Sequence, residues 1–482
     1  MTKNDGEATV DLIEAPEGHA ALSESEADRI IEGALLLLEE SGFLYAHEPA
    51  LRVVESAGGT ADWASQRARI PRVLAEDALR LAPGAFVHRG RTPDHDVRLD
   101  TRHVAFTVSG GGSLMDRSTG RQRPAVLSDV AELVTFVDHV AGFDVLNAPL
   151  AVADCPRQLT GEFILAEVLK YGRKPVVNCG PIGVGVDKRT QLELADAAGR
   201  PIMNAIGPVS PLSLPSNMCE ALMLWADRRW PCLCWSGPTP GANGPATLAG
   251  TLVVALAEII AEVVLAQIVG PGTPIIAGYS AMLMDMRSGS VYTGIEGVLL
   301  CNAAAQLLRR YDVPFWSACP MVTGNTAGWQ NGMQTGMQVP LLAQGGGGIV
   351  SFSGGLSMEC VYAYPQLLLA DELIATTKRY LRGIRVDDQS LALELIRSVG
   401  HAPADYLGAQ HTRENYRQEI LLPTLLTTAP YAAWEAHGAK DAVQLAVESA
   451  EALWATEIVP DPLPDDVCRE LDRIVHAEAD RL

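Results

Sequence analysis

The chain has 482 residues, 48% hydrophobic and 20% charged, and a formal net charge of −21. So acidic a surface repels phosphate backbones and anionic lipid headgroups, which excludes nucleic acid and membrane as natural partners. The length exceeds a single average core and implies one large core with appended segments. Nine scattered cysteines, an odd number, argue against a disulfide framework and place the protein in a reducing cytoplasm.

The opening MTKNDGEATVDLIEAPEGHA has no basic leader and no apolar run of signal-peptide length, and reads as a disordered tail. Ser23 and Glu26 form a capping-box pattern ahead of Ile30, Ile31, Ala34, Leu35 and Leu38 at helical spacing, and Gly42 closes that helix. A second helix over Pro71 to Leu81 stops before Pro83, so residues 1–100 read as a tail and a mainly helical cap. From residue 103 the pattern changes to short apolar runs separated by amphipathic stretches. The runs begin at His103, Phe143, Lys174, Pro201, Pro231, Pro274, Pro314 and Gly347. Between the first two, Val130, Leu133, Val134 and Val137 share one helical face. The long apolar stretch from Leu248 to Val269 is interrupted by Glu258, Glu262 and Gln267, and reads as a buried helix, not a membrane span. A last core helix runs from about Pro365 to Gly383.

Eight strand–helix alternations over residues 101–383 predict an α/β fold, a closed (β/α)8 TIM barrel with the N-terminal helical cap and a helical C-terminal extension, residues 384–482, packed on the barrel. A doubly wound open sheet is the competitor, and the absence of any Gly-x-Gly-x-x-Gly turn after a strand disfavours it.

Chemistry in such a barrel sits just beyond the strand ends. There the sequence offers Pro208, Ser210 and Pro211; Ser236, Pro238, Thr239 and Pro240; Tyr279, Ser280, Asp285 and Arg287; Pro320, Thr323, Asn325, Thr326, Trp329, Gln330 and Gln334; and Ser353, Ser357 and Glu359. Neutral hydrogen-bonding groups and aromatic faces with few charges suit a quaternary ammonium, which rings attract by about 0.5 to 2 kcal/mol each when desolvated. The candidate rings are Tyr279, Tyr292, Trp316 and Trp329, although a ring near a strand end more often packs than binds a ligand. Glu359 can pair with substrate charge or be a solvated loop carboxylate. His103, His139 and His411 lack partners at the spacing of a hydrolase triad. Cys232 and Cys234 share a strand face but lack a local third ligand, so no metal site is expected. The glycines at 345–348 precede a strand, not a helix, and read as a turn instead of a phosphate cradle.

LLEESGF, MDRSTGRQRPA from Met115, RKPVV from Arg173 and NAIGPVSPL from Asn204 are followed by YDVPFW from Tyr311, TGNTAGWQNGMQTGMQ from Thr323, GGLSMECV from Gly354 and DELI from Asp371. GIRVDDQSLALELIRSVG, QHTRENYRQE and YAAWEAHG complete the set. In this order they resemble the trimethylamine methyltransferase family across nearly the whole chain. The resemblance implies transfer of a methyl group from a methylamine or betaine to cobalamin carried by a separate corrinoid protein, with no cofactor bound tightly by this chain. Joined to the strand-end reading, this gives a quaternary-ammonium substrate oriented by Glu359 and Gln334, with Asn325, Trp329 and Gln330 among the residues expected to bind it. The chain carries no pyrrolysine, unlike the family's archaeal trimethylamine enzymes, and so resembles the betaine-demethylating members more. Where the family tends to show Asp-x-Gln-Ala-x-x-Glu, this chain has Gly332-Met333-Gln334-Thr335-Gly336-Met337-Gln338, keeping only Gln334 of the family's polar residues. Two competing readings are a non-catalytic barrel that captures quaternary ammonium compounds and a zinc-dependent methyltransferase using Cys232 and Cys234. Assembly into a homo-oligomer stays open.

Overall fold

The capping box at Ser23 is present. In the computed structural model, which describes residues 12–14, 20–108, 111–147, 151–178 and 188–481, Ser23 N donates to the Glu26 carboxylate (2.8 Å) and Ser23 Oγ accepts from Glu26 N. This opens α1 (Glu24–Glu40), and α2 (Glu48–Ser56) and α3 (Arg72–Leu81) follow. The cap is less helical than expected. Phe43–Tyr45, Thr60–Asp62 and Arg67–Arg69 form a small sheet with Ser213–Leu214, and Ala85–His88 pairs antiparallel with Val97–Asp100. Strands of two to four residues are too short to display alternation. The expected disordered tail falls mostly on residues 1–11 and 15–19, outside the described residues, but Ile13 and Glu14 pair with Val104 and His103 as an edge strand.

Each of the eight apolar runs contains a strand: β1 (His103–Val108), β2 (Leu146–Asn147), β3 (Val176–Asn178), β4 (Met203–Ile206), β5 (Cys232–Ser236), β6 (Ile275–Tyr279), β7 (Phe315–Ser317) and β8 (Gly348–Ser353). They lie parallel in the order β1-β8-β7-β6-β5-β4-β3-β2. A helix follows each: α4 (Leu127–His139), α5 (Thr160–Tyr171), α6 (Lys188–Ala197), α7 (Ser216–Asp227), α8 (Leu248–Val269), α9 (Ile295–Arg309), α10 (Trp329–Gly345) and α11 (Tyr364–Leu381). Where β1 meets the approach to β2, Thr107 forms a parallel bridge to Val145 and Asp144 N donates to Phe106 O (2.8 Å). The Asp144 carboxylate accepts from Phe106 N (2.9 Å) and pairs with Lys378 of α11 (3.2 Å).

Side chains alternate across a strand, and here they divide into two apolar clusters. Val104, Phe106, Leu146, Val176, Ile206, Cys232, Cys234, Ala277 and Val350 face the helices. Ala105, Val145, Val177, Met203, Leu233, Ile276, Trp316 and Ile349, one from each strand or its immediate approach, converge in a second cluster. The sheet is therefore curled, with this second set on its concave face. Val97, Leu99 and Phe86 from the preceding hairpin join that cluster at the amino-terminal ends of the strands.

Among the described residues α8 is the one helix long and apolar enough to cross a membrane, and most of it is buried within the fold. It packs against α1, α3 and α7, so its all-round apolarity is that of a core helix. Its two carboxylates fare differently. Glu258 accepts from Ser210 Oγ (2.8 Å), Ser236 Oγ and Leu212 N (2.6 Å). Glu262 is fully buried near Tyr45, Cys219, Cys232 and Cys234, its oxygens have no hydrogen-bond partner, and desolvation holds its pKa well above the ordinary carboxyl value. The folded protein thus keeps a proton that the unfolded chain releases above about pH 4.5. The neutral Glu262 contributes fully below that pH, and stability is lost as pH rises toward the folded pKa. Urea midpoints measured between pH 5 and 8 should fall less steeply for Glu262→Gln than for wild type, and parallel slopes would refute this.

Beyond α11 come α12 (Asp388–Leu391), α13 (Leu393–Val399), α14 (Gln410–Glu419) and α15 (Tyr431–Ala436), none with a buried residue. α16 (Ala442–Thr456) and α17 (Asp465–Ala479) return to the core. Trp454 of α16 meets Phe136 and Tyr364 at 5.8 and 5.6 Å, and α17 packs on α5 and α6.

Candidate active site

Toward the carboxyl ends of the strands the concave face changes character. In the register, Trp235 lies opposite Gly278, and Gly278 opposite Trp316. The two indoles meet edge to face at 6.2 Å and 63°. Glycine makes this arrangement possible. A Cβ on Gly278 would stand 2.6 Å from Trp316 Cε3 and 3.0 Å from Trp235 Cβ, and one on Gly207 would stand 2.5 Å from Trp235 Cε2. By the same alternation Thr107, Asn147 and Ser351 face inward, and all three are buried. Asn147 Oδ1 and Ser351 Oγ have no hydrogen-bond partner. Met321, Met282 and Met358 pack on the same cluster.

The turn after β8 is stitched to the segment after β7. Ser357, Met358 and Glu359 all have left-handed backbones, with φ of 54°, 58° and 62°. Left-handed conformation costs about 1 to 2 kcal/mol per residue, and three in succession persist only where the surroundings impose them. Here Ser357 N donates to Gly324 O (2.8 Å), Met358 N to Val322 O (2.6 Å), and Val322 N to Glu359 Oε1 (3.4 Å). Glu359 is 4% exposed, so it is not a solvated loop carboxylate.

α10 carries its polar face inward. Gln334 Oε1 accepts from Thr323 N (3.0 Å), its Nε2 donates to Thr323 Oγ1 (3.0 Å), and Gln330 Nε2 reaches the same hydroxyl (2.9 Å). Asn331 and Gln338 are buried beside them; both amide atoms of Asn331 and Nε2 of Gln338 lack partners. Asn325 Oδ1 accepts from Ser357 Oγ (2.7 Å).

The sequence-predicted residues therefore separate. Trp316 stands on the concave face, and Glu359, Gln334, Gln330 and Asn325 meet in the joined turns after β7 and β8. Tyr279 faces the helices, and its hydroxyl donates to Pro238 O (2.8 Å). Proximity to a strand end suggested it, but alternation turns it outward while Gly278 faces in. Tyr292 lines a shallow groove of about 450 Å³ with Asp285, Arg287 and Thr323. Trp329 heads α10 and is 84% exposed. Sequence reasoning missed Trp235, two residues on from inward-facing Leu233, and also Asn331 and Gln338.

The two thiols named for a zinc site face away from the concave side. Cys232 and Cys234 lie on the convex face, where burial raises both thiols, and no group of three His, Cys, Asp or Glu among the described residues is placed to hold a metal. His103 pairs with Asp100 (2.9 Å) and His139 with Thr135 O (2.7 Å), so neither serves a nucleophile.

At these strand ends, among the described residues, indole rings, side-chain amides and one buried carboxylate are gathered. Comparison with known proteins makes this specific. The chain belongs to the trimethylamine methyltransferase family, whose model matches residues 3–481, and it is an enzyme of the methyltransferase class. It is 29% identical over 472 residues to a trimethylamine methyltransferase of Desulfitobacterium hafniense, covering 96% of this chain and 95% of the relative. It is 27% identical over 470 residues to a glycine betaine methyltransferase of Desulfitobacterium hafniense, covering 95% of each. The crystal structure of the Methanosarcina barkeri monomethylamine methyltransferase has a similar α/β fold, with a TM-score of 0.56 at 12% identity over 93% of this chain and 90% of the other.

Proposed function

We propose that this protein, in the cytoplasm, transfers a methyl group from a quaternary amine such as a betaine to cob(I)alamin on a separate corrinoid protein, at the mouth of a closed (β/α)8 barrel. Closure is supported by eight parallel strands each followed by a helix and by the Thr107–Val145 bridge between the two ends of the strand order. The observation that carries the function is the indole pair of the concave face, half-buried Trp235 and buried Trp316, on the same face as the neutral, buried Thr107, Asn147 and Ser351. A fixed cation that donates no hydrogen bond is attracted by ring faces and by a nearby carboxylate. Trp235 and Trp316 supply the faces, and Glu359, held in its left-handed turn, supplies the charge. Gln334, locked on Thr323 with Gln330 and Asn325 nearby, fixes the orientation of the substrate's polar end.

Reduced cobalt supplies the nucleophile. The residues present fit that division of labour: a water-poor mouth that positions an N-methyl group, with no nucleophile–base pair among the described residues. A quaternary nitrogen departs as a neutral amine, so no general acid is required. The test is the visible spectrum of cob(I)alamin on adding the protein with glycine betaine, carnitine or proline betaine. Methylcobalamin should form with at least one. Binding heat with no spectral change for any methylated amine would show a capture protein and overturn the proposal.

A further inference from the structure

The inward face of α10's first half is polar, and its outward face is apolar: Trp329, Met333, Met337 and Leu341, at four-residue intervals, are all exposed. A surface helix ordinarily shows the opposite polarity. Beside this ridge Gly328, Gly332 and Gly336 form a lane in which a Cβ would meet nothing within 4 Å. At the helix's far end Leu341, Gln344 and Gly345 enclose, with Ile295, Glu296, Leu299 and Asn302 of α9, a groove of about 440 Å³ that is predominantly apolar.

We propose that this face is the interface between two copies of the chain, paired through α10 about a two-fold axis near Thr335. A two-fold interface must be self-complementary, and this one is. Antiparallel apposition carries the Trp329 of each copy about 18 Å along the axis, to the level of the other copy's Leu341 and its groove. It sets Met333 of one copy against Met337 of the other, and the glycine lane admits the facing ridge. Charge favours the same occupant. The chain carries −21, yet none of the 17 residues of α10 is charged and Glu296 is the one charged residue lining the groove, so two copies approach here with less repulsion than a surface of average charge imposes. Exposed apolar patches of this kind mark protein contacts.

Sedimentation velocity tests this independently of methyl transfer. At tens of micromolar, wild type should sediment as twice the 51.4 kDa chain. Met337→Asp, which places two carboxylates at the axis, should sediment as a single chain with unchanged far-ultraviolet circular dichroism. Trp329→Ala should raise the dimer dissociation constant at least tenfold. A wild type that stays single at every concentration would overturn the proposal and leave this face to a different protein. A dimer that survives Met337→Asp would overturn it equally.

Discussion

Replacing Trp235 and Trp316 together by Leu is expected to weaken betaine binding several-hundred-fold and to lower the rate of methylcobalamin formation at subsaturating substrate by a similar factor. A desolvated ring face contributes up to about 2 kcal/mol to a bound cation, and leucine keeps the site apolar while removing the π-face. Each single variant should show about the square root of the double effect, read by calorimetry. Tyr279→Phe is the control. It loses the hydrogen bond to Pro238 O and with it about 1 kcal/mol of stability, but its ring faces the helices, so affinity should stay within about twofold of wild type. Equal losses in the Tyr279 and Trp316 variants would refute the assignment of faces.

Gly348→Ala is expected to cost about 4 kcal/mol of stability, a large share of the 5 to 15 kcal/mol by which domains are stable. Gly348 opens β8 with φ of 123°, and a Cβ there would lie 1.8 Å from Phe315 O. Both a disfavoured backbone and a displaced strand follow, each worth about 1 to 3 kcal/mol. Gly347 is also tight, with a Cβ 2.4 Å from Arg102 N. Gly112→Ala, whose Cβ would meet nothing within 4 Å, should change stability by less than about 0.5 kcal/mol. A urea midpoint for Gly348→Ala within error of wild type would sink the argument. The glycine run thus marks neither a phosphate cradle nor merely a turn, because its backbone is pressed against β7 and the approach to β1.

Long-range order was legible because periodicity persists over many residues. α1 with its cap, α3, α8, α11 and all eight sheet strands follow from apolar spacing and from Ser, Gly and Pro at the ends. The small cap strands were not legible, since three residues such as Arg67–Arg69 show no period. The candidate residues were legible by type but less so by direction. Trp316 lies on the concave face and Glu359 is buried, whereas Tyr279 faces the helices and Trp235 went unnamed, because position relative to a strand end was read without counting alternation from Leu233. Asn331 and Gln338 were hidden for a different reason. On an ordinary surface helix amides face solvent, and α10 reverses that rule, so only the tertiary structure reveals that they line the interior.

The hairpin of Ala85–His88 and Val97–Asp100 stoppers the concave space from the strands' amino-terminal side, with Val97 and Leu99 wedged among the converging side chains. Among the described residues, that side of the concave space is closed. On the proposed reading, the methylated compound enters before the corrinoid carrier seats itself, and the spent amine stays trapped until the carrier lifts away. Turnover becomes a queue in which departure of the carrier sets the pace, so saturating concentrations of carrier slow the enzyme.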